Sequence, residues 1–122
     1  MQVTWTEVVE RFGREFRVAK RGTGGLGPLT RDCYSNAGAT TMVRGLSYCE
    51  GWAWPNSDGS SPVEHAWNLD EEGFVVDRTW QPPGVRYVGV SISPTTLAGL
   101  ILAANGYGPF LEEWAREADG RG

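Results

Sequence analysis

One histidine and two cysteines are all that the 122-residue chain offers for metal or nucleophile chemistry. Cys33, Cys49 and His65 fall short of a zinc centre, which wants closed tetrahedral ligation and recognisable pair spacing. Nothing in the sequence calls for a cofactor. Basic residues are also scarce: 11 Lys and Arg against 15 Asp and Glu leave a net charge of −4. Nucleic acid, which needs a concentrated basic surface, is therefore not an expected partner. The one basic stretch, Arg11 to Arg21, is interrupted by Glu15 and apolar residues and reads as a solvated helix face. No apolar run approaches the length of a membrane span, so no membrane partner is expected. Met1-Gln2-Val3-Thr4-Trp5 shows no basic segment followed by an apolar one, the mark of a signal peptide. The expected location is the cytoplasm, where two cysteines stay reduced and one of them can serve as a nucleophile.

What is present suits a globular domain. Residues 1–122 form one unit of ordinary size, 40% hydrophobic and 21% charged, with six Trp for a bulky core or an aromatic cleft. Thr4-x-x-Glu7 resembles a capping box ahead of Trp5, Val8, Val9, Phe12 and Phe16, which predicts a helix over about 5–17 despite Gly13. Gly22 to Pro28 is a loop, and it lacks the Lys-Ser/Thr ending of a phosphate-binding loop. A short helix is expected over 32–44, with Cys33 in its first turn and Gly45 at its C-cap. Strand-like runs follow at 46–54, 63–69, 74–80 and 85–92, with turns at 56–60, 70–73 and 81–84. They suggest a four-stranded antiparallel meander. Ser93-Pro94 opens a helix, and Phe110, Leu111 and Trp114 make a last amphipathic stretch. The class is α+β, divided into an N-terminal helix and loop (1–31), a catalytic core (32–92) and C-terminal helices (93–122).

The chemistry centres on three residues. His65 lies within a strand, on the face opposite Glu64 and Ala66, and Asp77 follows two β-branched residues on the next strand. If those strands form the hairpin that turns at 70–73, the two side chains meet across it and supply a base with its orienting carboxylate. Cys33, at a helix N-terminus, sees free amides and the positive end of the helix dipole, which favour thiolate and could hold an oxyanion. Asn36, one turn on, is either an oxyanion donor or an anchor to the sheet. Trp67 is expected beside His65 as a shield, and Thr79 as a partner of Asp77. Tyr34, Glu50 and Trp52 are candidates to face substrate, and Cys49 is expected in the core.

Taken together, Cys33-Tyr34-x-Asn36-Ala37, Tyr48-x-Glu50-Gly51-x-Ala53, His65-Ala66-Trp67-Asn68, Val76-Asp77-x-Thr79 and Tyr87-x-Gly89 resemble small cysteine hydrolase-like proteins of bacteriophages and bacteria. Those belong to the papain-like/transglutaminase-like superfamily, and the resemblance covers residues 32–92. It implies Cys33 as nucleophile, His65 as base and Asp77 as orienter. It also implies helices, with the Cys at a helix start, packed on an antiparallel four-stranded sheet. A phage origin would place the protein in the host cytoplasm. The stretch from Thr23 to Asp32 departs from the papain pattern, because it contains no Gln for the oxyanion hole. The expected function is cleavage or transfer of an acyl group at an amide, isopeptide or thioester bond, on a protein or peptide-like substrate that includes host proteins. Peptidase, amidase, deamidase and transglutaminase-like activity share that mechanism and stay open, as does the oligomeric state. The alternatives are a phage-encoded binding or inhibitor protein with an idle triad, and a structural phage component.

Overall fold

A computed structural model describes residues 4–18, 32–59, 61–80 and 82–120; the loop expected at 22–28 lies outside them. Four helices and a five-stranded sheet, all of whose strand pairings are antiparallel, give an α+β architecture. No helix among the described residues is long and apolar enough to cross a membrane.

Helix α1 runs only from Trp5 to Phe12. Thr4 caps it as the sequence suggests, its hydroxyl oxygen accepting from the Glu7 amide at 3.2 Å. The predicted extension to residue 17 is not realised. Gly13 leaves the helix with extended backbone, and Arg14–Phe16 form strand β1 instead. β-Pairing with residues 87–89 wins there over helical periodicity.

Helix α2 spans Cys33–Arg44, between the Asp32 cap, which accepts from the Ser35 amide at 3.1 Å, and Gly45 in the left-handed conformation. Strand β2 (Ser47–Trp54) and strand β3 (Val63–Leu69) follow as expected. Strand β4 is shorter than its predicted 74–80, holding only Val75–Val76. Asp77 ends it, because its Oδ1 accepts the amides of Thr79 and Trp80, both at 2.9 Å, and so winds the chain into a turn.

Strand β5 (Arg86–Ile92) corrects the meander: it returns to pair with β2, and the sheet order is β1-β5-β2-β3-β4, five strands rather than four. Helices α3 (Pro94–Ala104) and α4 (Leu111–Gly120) close the chain.

Alternation along the strands sorts the side chains into two cores. Ala66, Tyr48, Val90 and Ile92 join Cys33, Ala37 and residues of α1, α3 and α4 on the helix-bearing side. Cys49, Ala53, Trp67, Leu69, Val75 and Tyr87 gather with Phe16 on the other. Helix α2 is pinned over β3 by Asn68, whose buried amide nitrogen lies 3.0 Å from the Ala37 carbonyl oxygen and 3.0 Å from the Thr41 hydroxyl. That fastening fixes where the N-terminus of α2, and hence Cys33, meets the sheet.

Candidate active site

The hairpin joining β3 to β4 turns at residues 70–73, where Asp70 Oδ1 accepts the amides of Glu72 and Phe74 and Gly73 takes φ of 88°. This register pairs Asn68 with Val76. It carries His65 past the end of β4, to where the chain has turned at Asp77. His65 Nε2 and Asp77 Oδ2 lie 2.8 Å apart, with both side chains buried. Oδ2 also accepts from the Tyr87 hydroxyl at 2.6 Å, and the Gly84 amide donates in turn to that hydroxyl at 2.7 Å. Burial alone would raise the Asp77 carboxyl. The hydrogen bond and charge of His65, the Tyr87 hydroxyl and the Trp80 amide outweigh it and hold Asp77 below its ordinary value. An ionised carboxylate only accepts, so Nε2 carries the imidazole proton and Nδ1 is left as the basic nitrogen.

Aromatic rings wall this pair in. Trp80 stacks on the His65 ring with centroids 3.9 Å apart and planes 16° from parallel. Trp67, expected as the shield, is fully buried 6.3 Å from the imidazole centroid. Its ring tip crosses Gly89, where a Cβ would come within 2.8 Å of it. The direct cover on His65 is thus Trp80, which lies beyond β4 and not within the strand expected over 74–80. Tyr87 is visible in the sequence only as part of a motif.

Cys33 reaches the site from the other side of the sheet. The Asp70 amide donates to Phe74 O at 2.9 Å, across the β3–β4 gap. Amides alternate between edges, so those of Asn68 and Ala66 point the same way. Strand β4 stops opposite Asn68, so the amide of Ala66 faces an edge that β4 has left bare. Cys33 packs in one buried cluster with Ala66, and the Ala66 amide pulls against the rise of the thiol's pKa. The thiol is therefore buried on the helix-bearing side, opposite the face of β3 that carries His65 and clustered with the residue that follows it. No hydrogen bond joins the sulfur to the imidazole, whose Nε2 is held by Asp77.

The thiol's electrostatics run against the sequence expectation. Burial pushes Cys33 up to about 11, and the Asp32, Asp77 and Glu50 carboxylates add to the rise, against the lowering pull of the Ala66 amide. The resting sulfur is a protonated thiol. Cys49, on the far face and wholly buried, is pushed up to about 12.

Of the supporting residues, Asn36 donates from Nδ2 to Thr79 Oγ1 at 2.9 Å, which ties the first turn of α2 to the turn after Asp77. That is the anchoring alternative. Thr79 meets Asp77 through its backbone amide. Tyr34 and Trp52 are half-buried on the helix-bearing side, Trp52 edge-on to Trp5 at 6.4 Å. Glu50 is corrected: it is 0% exposed, and no substrate reaches it. Its carboxylate accepts the amides of Phe110 and Leu111, at 2.8–2.9 Å, and the Tyr48 hydroxyl. It docks the N-terminus of α4 onto β2. Among the described residues, no cluster of three His, Cys, Asp or Glu could hold a metal ion.

No protein-family model, curated protein or solved structure matches the chain.

Proposed function

We propose that the protein is a cysteine-dependent acyl hydrolase or acyltransferase on a papain-like/transglutaminase-like scaffold, acting on an amide, isopeptide or thioester bond. The observation that carries this reading is the buried His65–Asp77 pair, with Cys33 clustered against Ala66, the residue next to His65. Because burial keeps the thiol protonated, His65 acts as a general base and not as one half of a standing ion pair. As substrate closes the site, Nδ1 takes the thiol proton and sulfur bonds to the acyl carbon. The proton then passes to the leaving group as its bond to that carbon breaks. Water or an acceptor amine, deprotonated by the same nitrogen, releases the acyl group. Asp77 stabilises the imidazolium formed at each stage.

The oxyanion needs two donors. Ser35 and Asn36 give their amides to Asp32, but those of Cys33 and Tyr34 have no acceptor among the described residues. They are the donors that the missing Gln would otherwise supply, with the dipole of α2 behind them.

A second reading, a binding protein with an idle triad, is favoured by one observation: the elevated thiol. Acylation by p-nitrophenyl acetate separates the two. The enzyme reading expects acetyl transfer to Cys33, none to Cys49, and release of p-nitrophenolate. It expects His65→Ala to slow that transfer by about 100-fold, the low end for a positioned base. Peptide mapping that finds Cys33 unmodified, or His65→Ala reacting as fast as wild type, hands the scaffold to the binding reading.

A further inference from the structure

A cleft of about 220 Å³ lies where the starts of α1, β3 and α4 converge. Buried Trp5 and Leu111 line it, and around them stand the exposed Glu64, Glu112 and Glu113 with a single guanidinium, Arg116. None of the three carboxylates forms an ion pair with another described residue. Three carboxylates against one guanidinium leave the cleft net negative beside the apolar Trp5 and Leu111.

Two further observations give it a purpose. The indole N–H of Trp5, in the cleft wall, is buried and has no acceptor among the described residues. A buried donor left unmet is costly, and an entering carbonyl would relieve it. The cleft also shares its floor with the cluster that holds the nucleophile, since Trp5 and Leu111 pack together with Cys33 and Ala66. Glu64 directly precedes His65 on β3 and lies on the same face as Ala66. The charge of Glu64 is felt at Tyr34, the residue after the nucleophile.

We propose that this cleft is the specificity site of the acyl-transfer centre and takes the positively charged side chain of a peptide substrate, one of whose carbonyls accepts from Trp5. The proposal rests on the reading of Cys33 as nucleophile. A lysine or arginine side chain fits both halves of the site, its stem over Trp5 and Leu111 and its cation among the carboxylates. Bound there, the cation also offsets the negative field of Asp32, Glu50 and Asp77 at the thiol, so a matching substrate makes its own nucleophile easier to deprotonate.

Two methanethiosulfonate reagents of opposite charge test this, 2-(trimethylammonium)ethyl and 2-sulfonatoethyl. Each loses methanesulfinate as its thioalkyl sulfur bonds to the attacking thiolate. The expected result is a cation-to-anion rate ratio at Cys33 about tenfold above that of the urea-unfolded chain. Glu64→Gln/Glu112→Gln should remove most of that excess. Glu71→Gln/Glu72→Gln, the same change in net charge at the β3–β4 turn, should leave it standing. Equal losses from the two double variants, or a folded ratio no higher than the unfolded one, overturn the cationic cleft and leave the nucleophile intact. A Cys33 that reacts with neither reagent overturns the nucleophile reading itself, and the cleft with it.

Discussion

Two carboxylates lie fully buried, on opposite faces of one sheet, and they titrate in opposite directions. Asp77 accepts from His65, Tyr87 and the amides of Thr79 and Trp80. Glu50 accepts from Tyr48 and the amides of Phe110 and Leu111. The donor sets are alike except for the imidazole. Burial pushes Glu50 up to about 7 despite its hydrogen bonds, with the Glu64 carboxylate adding to the rise. His65 brings a hydrogen bond and a charge, and Asp77 stays low. At Glu50, hydroxyl and amide dipoles alone do not repay the desolvation of the carboxylate; at Asp77 the added imidazole tips the balance. Under the proposed function, one buried acid serves chemistry and the other serves architecture.

The sharpest way to break this contrast is to remove the charge of Asp77. Asp77→Asn keeps the shape and an oxygen for the Thr79 and Trp80 amides, but its NH₂ group turned to His65 reverses the tautomer. Turnover of p-nitrophenyl acetate should fall by about 10⁴-fold, as the same exchange does in a serine-protease triad. Thermal melting would verify that the fold persists. Activity within a few-fold of wild type would mean that Asp77 does not orient the base.

Glu50 provides the next effect, on stability rather than rate. Its folded pKa, about 7, lies above the ordinary 4.5. Its stabilising share is therefore full below about 4.5 and is lost as pH rises through 7, on the order of 3 kcal/mol in all. Asp77 has the opposite sign: its contribution is present above the ordinary carboxylate range and is lost as pH falls below it. Urea midpoints measured from pH 5 to 8 should decline in the wild type and run flatter in Glu50→Gln. Parallel curves would refute the raised carboxyl.

The smallest effect separates anchor from oxyanion donor. Asn36→Ala removes a partly buried hydrogen bond to Thr79, worth about 1 kcal/mol. As an anchor it should lower the urea midpoint by that amount and cost turnover only a few-fold. A drop of about 10²-fold or more at unchanged stability would return Asn36 to the oxyanion hole.

How far these features could be read beforehand depended on the range of the forces behind them. Asp32 and Gly45 bracket α2 by local capping, and Gly73 with Asp70 sets the hairpin, so the His65–Asp77 pairing was legible. The fate of residues 14–16 was not, because only the distant partner strand β5 turns them from helix to strand. The length of β4 escaped notice because the turn at Asp77 depends on amides that its own side chain recruits. Glu50 and the amides of α4 lie far apart in sequence, and no local pattern joins them. The thiol was misjudged for a related reason: the helix dipole is visible in sequence, while burial is a property of the finished core.

The strand order also dictates how the chain comes together in time. Strand β2 lies at the centre of the sheet, between its hairpin neighbour β3 and the late-arriving β5. The β2–β3–β4 segment pairs locally, so His65 can meet Asp77 before the rest of the chain has been made. The opposite flank of β2 stays bare until Arg86–Ile92 are available, and β1, near the start of the chain, has no partner before then. Long-range closures of this kind slow folding, and an uncovered strand edge attracts other chains in the interval. The sheet of this protein therefore stays incomplete until β5 returns, and the open flank of β2 is covered when Gly89 docks against Gly51.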